Sequence, residues 1–230
     1  MRLGVLVPSF ELDAARAFEV AREVERARLD GVFAYDHLWP MGSPERPSLA
    51  PFALLSAIAR RHEHLIVAPL VARVGLVGTA HLVEEFLTLE ALAPGRVIAT
   101  LGTGDRLSAL ENEAYGLRTL GAAHRRALVE ETAVTLSGTM PVWIGAGARA
   151  TNDLARHLGV ELNLWNADPS RVAEFAQDGL VNWAGPVPED LVVLLDALEV
   201  AGASWAVFTP NVEVEALGEW RERRQLSKFP

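Results

Sequence analysis

LGVLVPSFELDAARAFEVAREVERARLDGVFAY, residues 3–35, contains a strand, a helix and a second strand. Leu3–Pro8 is a short apolar run stopped by proline. From Asp13 to Leu29 the apolar residues Ala14, Ala17, Phe18, Ala21, Val24 and Ala27 recur at roughly the 3.6-residue period of a helix. Asp13 is a candidate cap and Gly31 a candidate exit. Gly31–Tyr35 is then the second strand, and a crossover helix between them makes the two strands parallel.

The same rhythm continues along the chain. Strands are expected at Leu65–Val71, Arg96–Leu101, Pro141–Gly145, Val160–Trp165, Leu180–Ala184 and Ser204–Thr209. Helices are expected at Phe52–Arg61, Thr79–Leu92, Ala148–Leu158, Ser170–Asp178, Asp190–Ala201 and Val214–Arg223. A further helical stretch, 108–137, is broken near Gly116–Gly121. Eight strands alternating with helices predict a (β/α)8 TIM barrel with short loops, one domain over residues 1–230. An open doubly wound sheet has the same local rhythm.

Composition narrows the function classes. The 230 residues carry a net charge of −9, which weighs against general nucleic-acid binding. The absence of cysteine excludes disulfides, thiolate metal sites and cysteine nucleophiles. The longest apolar stretch, Leu65–Ala72, is far short of the ~20 residues of a membrane span. Too few apolar residues precede Pro8 for a secretion signal, so a cytoplasmic protein acting on a small molecule is expected.

In a parallel barrel, chemistry sits where the strands end. The second strand ends in Asp36-His37, a carboxylate and an imidazole able to exchange a proton near neutral pH, with Trp39 two residues on. By residue type alone, Asp36 capping the loop and His37 packing under Pro40 is the plainer account. The fourth strand runs into Gly102-Thr103-Gly104-Asp105, where Asp105 is either a capping residue or a carboxylate at the mouth. Glu111 and Glu113, beyond it, read as solvated. Gly145-Ala146-Gly147 opens a helix; such a turn either lets backbone amides approach a phosphate or merely reverses the chain. The sixth strand delivers Asn163 and Trp165. His62 and His64 have strand-like metal spacing but fall at the opposite end, and no metal is expected. Trp143, Trp183 and Trp205 read as core.

Taken together, GVFAYDHLWP, PFALLSAIARRHEHLIVAPLV, FLTLEALAPGRVIATLGTGDRLSALENEAYG, HRRALVEETAVTL and PVWIGAGARATNDLARHLGVELNLWNADP resemble the luciferase-like monooxygenases. These are TIM-barrel enzymes using FMN or coenzyme F420. The resemblance spans residue 1 to about 210, and TLEALAPGR running into Leu-Gly-x-Gly is its most specific element. It implies that Asp36-His37 borders the flavin or deazaflavin ring and that Trp39 lies on the substrate side. It implies a non-prolyl cis peptide at Leu70-Val71, against which the ring rests. Asp105, after Gly104, matches an acidic position of some deazaflavin enzymes, and Gly145, Ala146 and Gly147 match the phosphate turn.

Three departures stand out. Val77-Gly78-Thr79 replaces an Arg-His-Pro-like element, the segment between Gly116 and Pro141 is short, and the stretch after Trp165 is trimmed. A missing lid exposes the cofactor or requires a partner subunit to cover it, which weighs against oxygenase chemistry. The resemblance therefore implies hydride transfer between F420, preferred over FMN, and a small organic substrate. His37 or Asp105 would exchange the proton, in a protein that commonly forms a homodimer. The alternatives are a shortened, non-catalytic flavin-binding protein and an FMN-dependent monooxygenase.

Overall fold

A computed structural model of the chain describes residues 1–104 and 108–226. Its strands are β1 (Arg2–Leu6), β2 (Gly31–Ala34), β3 (Ile66–Pro69), β4 (Ala72–Arg73), β5 (Ala99–Gly102), β6 (Val142–Gly145), β7 (Glu161–Trp165), β8 (Val181–Gly185) and β9 (Trp205–Phe208). The helices are α1 (Ala15–Arg26), α2 (Pro51–Ala59), α3 (Thr79–Leu92), α4 (Ala109–Ala114), α5 (Ala122–Leu136), α6 (Arg149–Leu158), α7 (Pro169–Ala176), α8 (Leu191–Val200) and α9 (Val214–Leu226).

All strand pairs are parallel, in the order β3-β2-β1-β9-β8-β7-β6-β5-β4. The ring is drawn together between β3 and β5, where Val67 and Val97 form an isolated bridge. This is the expected barrel. Among the described residues nine strands stand where eight were expected, because the expected strand Leu65–Val71 pairs only as far as Pro69 and pairing resumes with β4; the Leu70–Val71 peptide between them is cis. The helical stretch 108–137 divides as expected, into α4 and α5. The α1 helix ends before Gly31; Arg28 takes the left-handed turn at φ 55°.

Strand alternation sorts the side chains into two layers. Leu3, Val5, Val32, Ile144, Leu162 and Phe208 face outward against the helices, where α1 buries Ala17, Val20, Ala21 and Val24 on one stripe. Leu6, Phe33, Trp143, Trp205 and Val207 face the barrel axis. Phe33 stacks on Trp143 with centroids 5.6 Å apart and meets Trp205 edge-on at 5.6 Å. These three rings fill the lower barrel. Gly4 makes room for them, since a Cβ there would lie 2.5 Å from Phe33 Cε2. No helix among the described residues is long and apolar enough to cross a membrane.

Candidate active site

Above the aromatic plug the strand ends open into a cavity of about 770 Å³, within the range of roughly 300–1,000 Å³ usual for ligand sites. One side is aromatic. Tyr35 stacks on Phe10 at 5.4 Å and meets His37 at 6.4 Å and Trp165 at 6.2 Å. Burial pushes the Tyr35 phenol up to about 12, so it stays neutral. The other side is cationic, lined by Arg125 and Arg126 of α5 and by residues 145–148 and Thr151 at the start of α6.

His37 is ordered from behind. Its Nδ1 lies 2.8 Å from Glu111 Oε1. A carboxylate can only accept, so Nδ1 carries the proton and Nε2 is left for the cavity. Glu111 Oε2 accepts the Leu38 N–H at 3.2 Å and sits 2.8 Å from Arg73 Nη2, a close ion pair without hydrogen-bond alignment. Asp36 Oδ2 accepts the Arg73 N–H at 2.7 Å, and Arg73 Nε donates to the Asp36 carbonyl at 2.8 Å. Burial holds the Asp36 carboxyl above its usual range, opposed by the Arg73 amide and guanidinium. Asp36 thus lies behind the cavity wall, anchoring Arg73, while His37 and Arg73 line it.

Glu111 is only 1% exposed, contrary to its expected place in solvent. The reason is an inverted helix: α4 turns Leu110 out, 71% exposed, and Glu111 in, because two cationic or donor groups 38 and 74 residues away await the carboxylate.

Leu70 and Val71, joined by a cis peptide bond, line the cavity. Val71 fills the space left by two glycines: a Cβ at Gly102 would stand 2.4 Å from Val71 Cγ2, and one at Gly145 3.4 Å from it. Gly102→Ala is expected to cost about 1–3 kcal/mol through overpacking, read as a lower urea midpoint. An unchanged midpoint would show that Val71 yields freely.

Gly104, Gly145, Ala146 and Gly147 also line the cavity. Two amides of the turn are already committed, however: Ala146 N–H donates to the Asn163 carbonyl at 2.7 Å and Gly147 N–H to Asn152 Oδ1 at 3.1 Å. The next turn offers more. Ala148, the N-cap of α6, has no side-chain cap, and Thr151 lines the cavity beside it. Gly121, the N-cap of α5, likewise has none. Two uncapped helix starts and two arginines therefore converge on one rim, a field that suits an anion.

Trp39 is not among the cavity's lining residues; its ring lies 6.0 Å from Tyr115. Asp105 lies outside the described residues. His62 Nδ1 is 2.8 Å from Glu25 Oε2, away from the mouth. Sequence reasoning missed Arg73, Arg125 and Arg126 as well as Glu111. An arginine within a helix or beside an apolar strand carries no local mark of facing a cavity.

Below the cavity a second polar group, half-buried, occupies the axis. Glu161 accepts from the Ser204 hydroxyl, with Asn182 and Trp143 as further hydrogen-bonding neighbours. Burial raises its carboxyl above the ordinary 4.5. From the ordinary value up to the raised one the folded state binds more protons than the unfolded chain, so stability falls as pH rises above about 4.5. The melting temperature of Glu161→Gln relative to the parent protein is therefore expected to move in the variant's favour as pH rises above about 4.5. A difference flat with pH would show no such penalty.

A parallel barrel with a cavity at its strand ends and an anion-suited rim defines a ligand-binding barrel of the enzyme type. Sequence comparison makes the class specific. The family profile described as luciferase-like monooxygenase matches residues 1–140, and the chain belongs to that family. No curated protein sequence matches it. Among solved structures it is similar to an F420-dependent secondary alcohol dehydrogenase in complex with an F420-acetone adduct, at 14% identity and TM-score 0.74, covering 95% of this chain and 97% of the other. It is also similar to the coenzyme F420-dependent tetrahydromethanopterin reductase of Methanopyrus kandleri (11%, TM-score 0.73, covering 100% and 99%). A monooxygenase from Streptomyces bottropensis gives 11% identity and TM-score 0.74, with 100% of both chains covered. At these identities the likeness is one of fold.

Proposed function

We propose that the protein is an oxidoreductase that binds a flavin-type cofactor, F420 in preference to FMN, and reduces or oxidises a small organic molecule. The observation that carries this reading is the His37–Glu111 pair at the wall of a cavity whose far rim suits a phosphate. The residues fit such a group. Arg125, Arg126, Thr151 and the first-turn amides of α6 would hold the phosphate, and Leu70-Val71 would support the ring. When bound, the cofactor supplies the hydride chemistry.

The chain's own work is orientation and proton handling. Glu111 fixes the His37 tautomer, so Nε2 gives a proton to, or takes one from, an oxygen on the substrate. Tyr35, Phe10 and Trp165 exclude water on that side and favour an apolar or aromatic substrate face. Preference for F420 is supported by the Gly-Thr-Gly-Asp run and by neighbours whose names include that coenzyme. The reading includes a cytoplasmic homodimer.

Titration of the apoprotein with F420 and FMN, followed by fluorescence and calorimetry, tests it. Micromolar binding of F420 with turnover on a panel of alcohols and ketones is the expected result. Preference for FMN would move the activity toward flavin-dependent reduction or oxygenation. Binding without turnover would make the chain a flavin-binding protein, and binding of neither would end the cofactor reading.

A further inference from the structure

Three side chains of β7 point to the barrel axis at successive heights: Glu161 at the base, Asn163 at mid-height and Trp165 at the rim. Asn163 pairs in register with Asn182 on β8, and its Nδ2 donates to Asn182 Oδ1 at 2.6 Å. Asn182 is fully buried. Its own Nδ2 has no aligned acceptor and has the Glu161 carboxylate as its neighbour below.

Charge decides which way these amides face. A carboxylate attracts an N–H and repels a carbonyl oxygen, so Glu161 turns Asn182 with Nδ2 down and Oδ1 up. An upward Oδ1 in turn requires the Nδ2 of Asn163. What Asn163 has left is Oδ1, which accepts no hydrogen bond from the described residues although Asn163 lines the cavity. An acceptor on a cavity wall with no protein donor is open to a ligand's donor.

We infer that Asn163 Oδ1 is a hydrogen-bond acceptor for the bound cofactor, aimed from the far end of the barrel by Glu161 through Asn182. This rests on the flavin-type reading of the cavity. The donor is either the lactam N–H of the ring or a hydroxyl of the ribityl chain; both are neutral donors, and both belong to FMN and F420. Glu161 touches nothing in the cavity and is a positioning residue. Ser204 holds it from the other side.

The experiment compares dissociation constants for the cofactor that the parent protein retains, FMN or F420, and for its N3-methylated form, which lacks the lactam N–H. Asn163→Leu is expected to weaken the unmodified cofactor roughly tenfold, the scale of one lost hydrogen bond. If the lactam N–H is the donor, the parent protein discriminates against the methylated form by a similar factor and the variant does not. If a ribityl hydroxyl is the donor, the variant weakens both forms equally. Glu161→Leu should reproduce part of the loss, and Glu161→Gln, which keeps an acceptor oxygen beside Asn182 Nδ2, should restore it. Circular dichroism confirms that each variant is folded.

An unchanged constant for folded Asn163→Leu would overturn the acceptor role. Loss in Asn163→Leu with none in Glu161→Leu would overturn the aiming role. A parent protein that binds neither cofactor fails at the earlier step, before Asn163 is involved, and takes this inference with it.

Discussion

His37→Ala is expected to lower turnover about 100-fold or more while changing the cofactor dissociation constant by less than about threefold, the signature of a lost general acid–base group. The split follows from geometry. The imidazole is held by Glu111 on the wall of the aromatic side, whereas the rim suited to a phosphate lies on α5 and α6. Removing the ring leaves the anion-binding groups in place. Steady-state rates on a responsive substrate, together with fluorescence titration, supply both numbers. Equal losses in rate and affinity would make His37 a binding residue instead.

The second large effect is on stability. Glu111→Leu should unfold with about 3–5 kcal/mol less stability, because it leaves the buried Arg73 guanidinium, 7% exposed, without its counter-ion. For a chain of this size that corresponds to a melting temperature lower by roughly 10 °C. Asp36 takes the Arg73 N–H and, through its carbonyl, Nε, which leaves the two terminal guanidinium nitrogens without an aligned acceptor. Adding Arg73→Met should recover most of the loss, since the pair is then removed rather than broken. A single variant melting within about 2 °C of the parent, on the same scale, would show that water or a moved side chain satisfies Arg73.

The barrel was legible because its signals are local. Apolar strand runs and the helical periodicity of residues 14–27 each declare themselves within one turn or one strand, and their alternation gives the parallel order. The interruption at Leu70–Val71 was reached by resemblance alone, since nothing in the residue types requires a cis bond there. The site was less legible for the opposite reason. Glu111 owes its burial to Arg73 and His37, so its position in a short helix misleads: the pattern Leu110-Glu111 asks for the leucine inside, and the tertiary charges override it. Asp36 and His37 fall at a strand end, as read from the sequence, but which of them faces the cavity depends on Arg73, the second residue of β4. The glycine turn was found, whereas its amides turned out to be engaged internally, and the helix beyond it carries the open donors.

The seam between β1 and β9 bears on how the chain comes into being. Arg2–Val5 pairs with Trp205–Phe208, so the first strand made waits for the last. At about 5–20 residues per second of synthesis, those partners emerge some 10–40 s apart. During that interval β1 can dock on β2 along one side, but its other side stays an open parallel edge, next to aromatic residues that have not met their neighbours. Local β–α–β units form early, and ring closure is a late, long-range event that sets the pace of folding. The nascent chain is therefore most exposed to misassociation until β9 is available, and the cavity, with walls drawn from both halves of the barrel, exists only after the seam has shut.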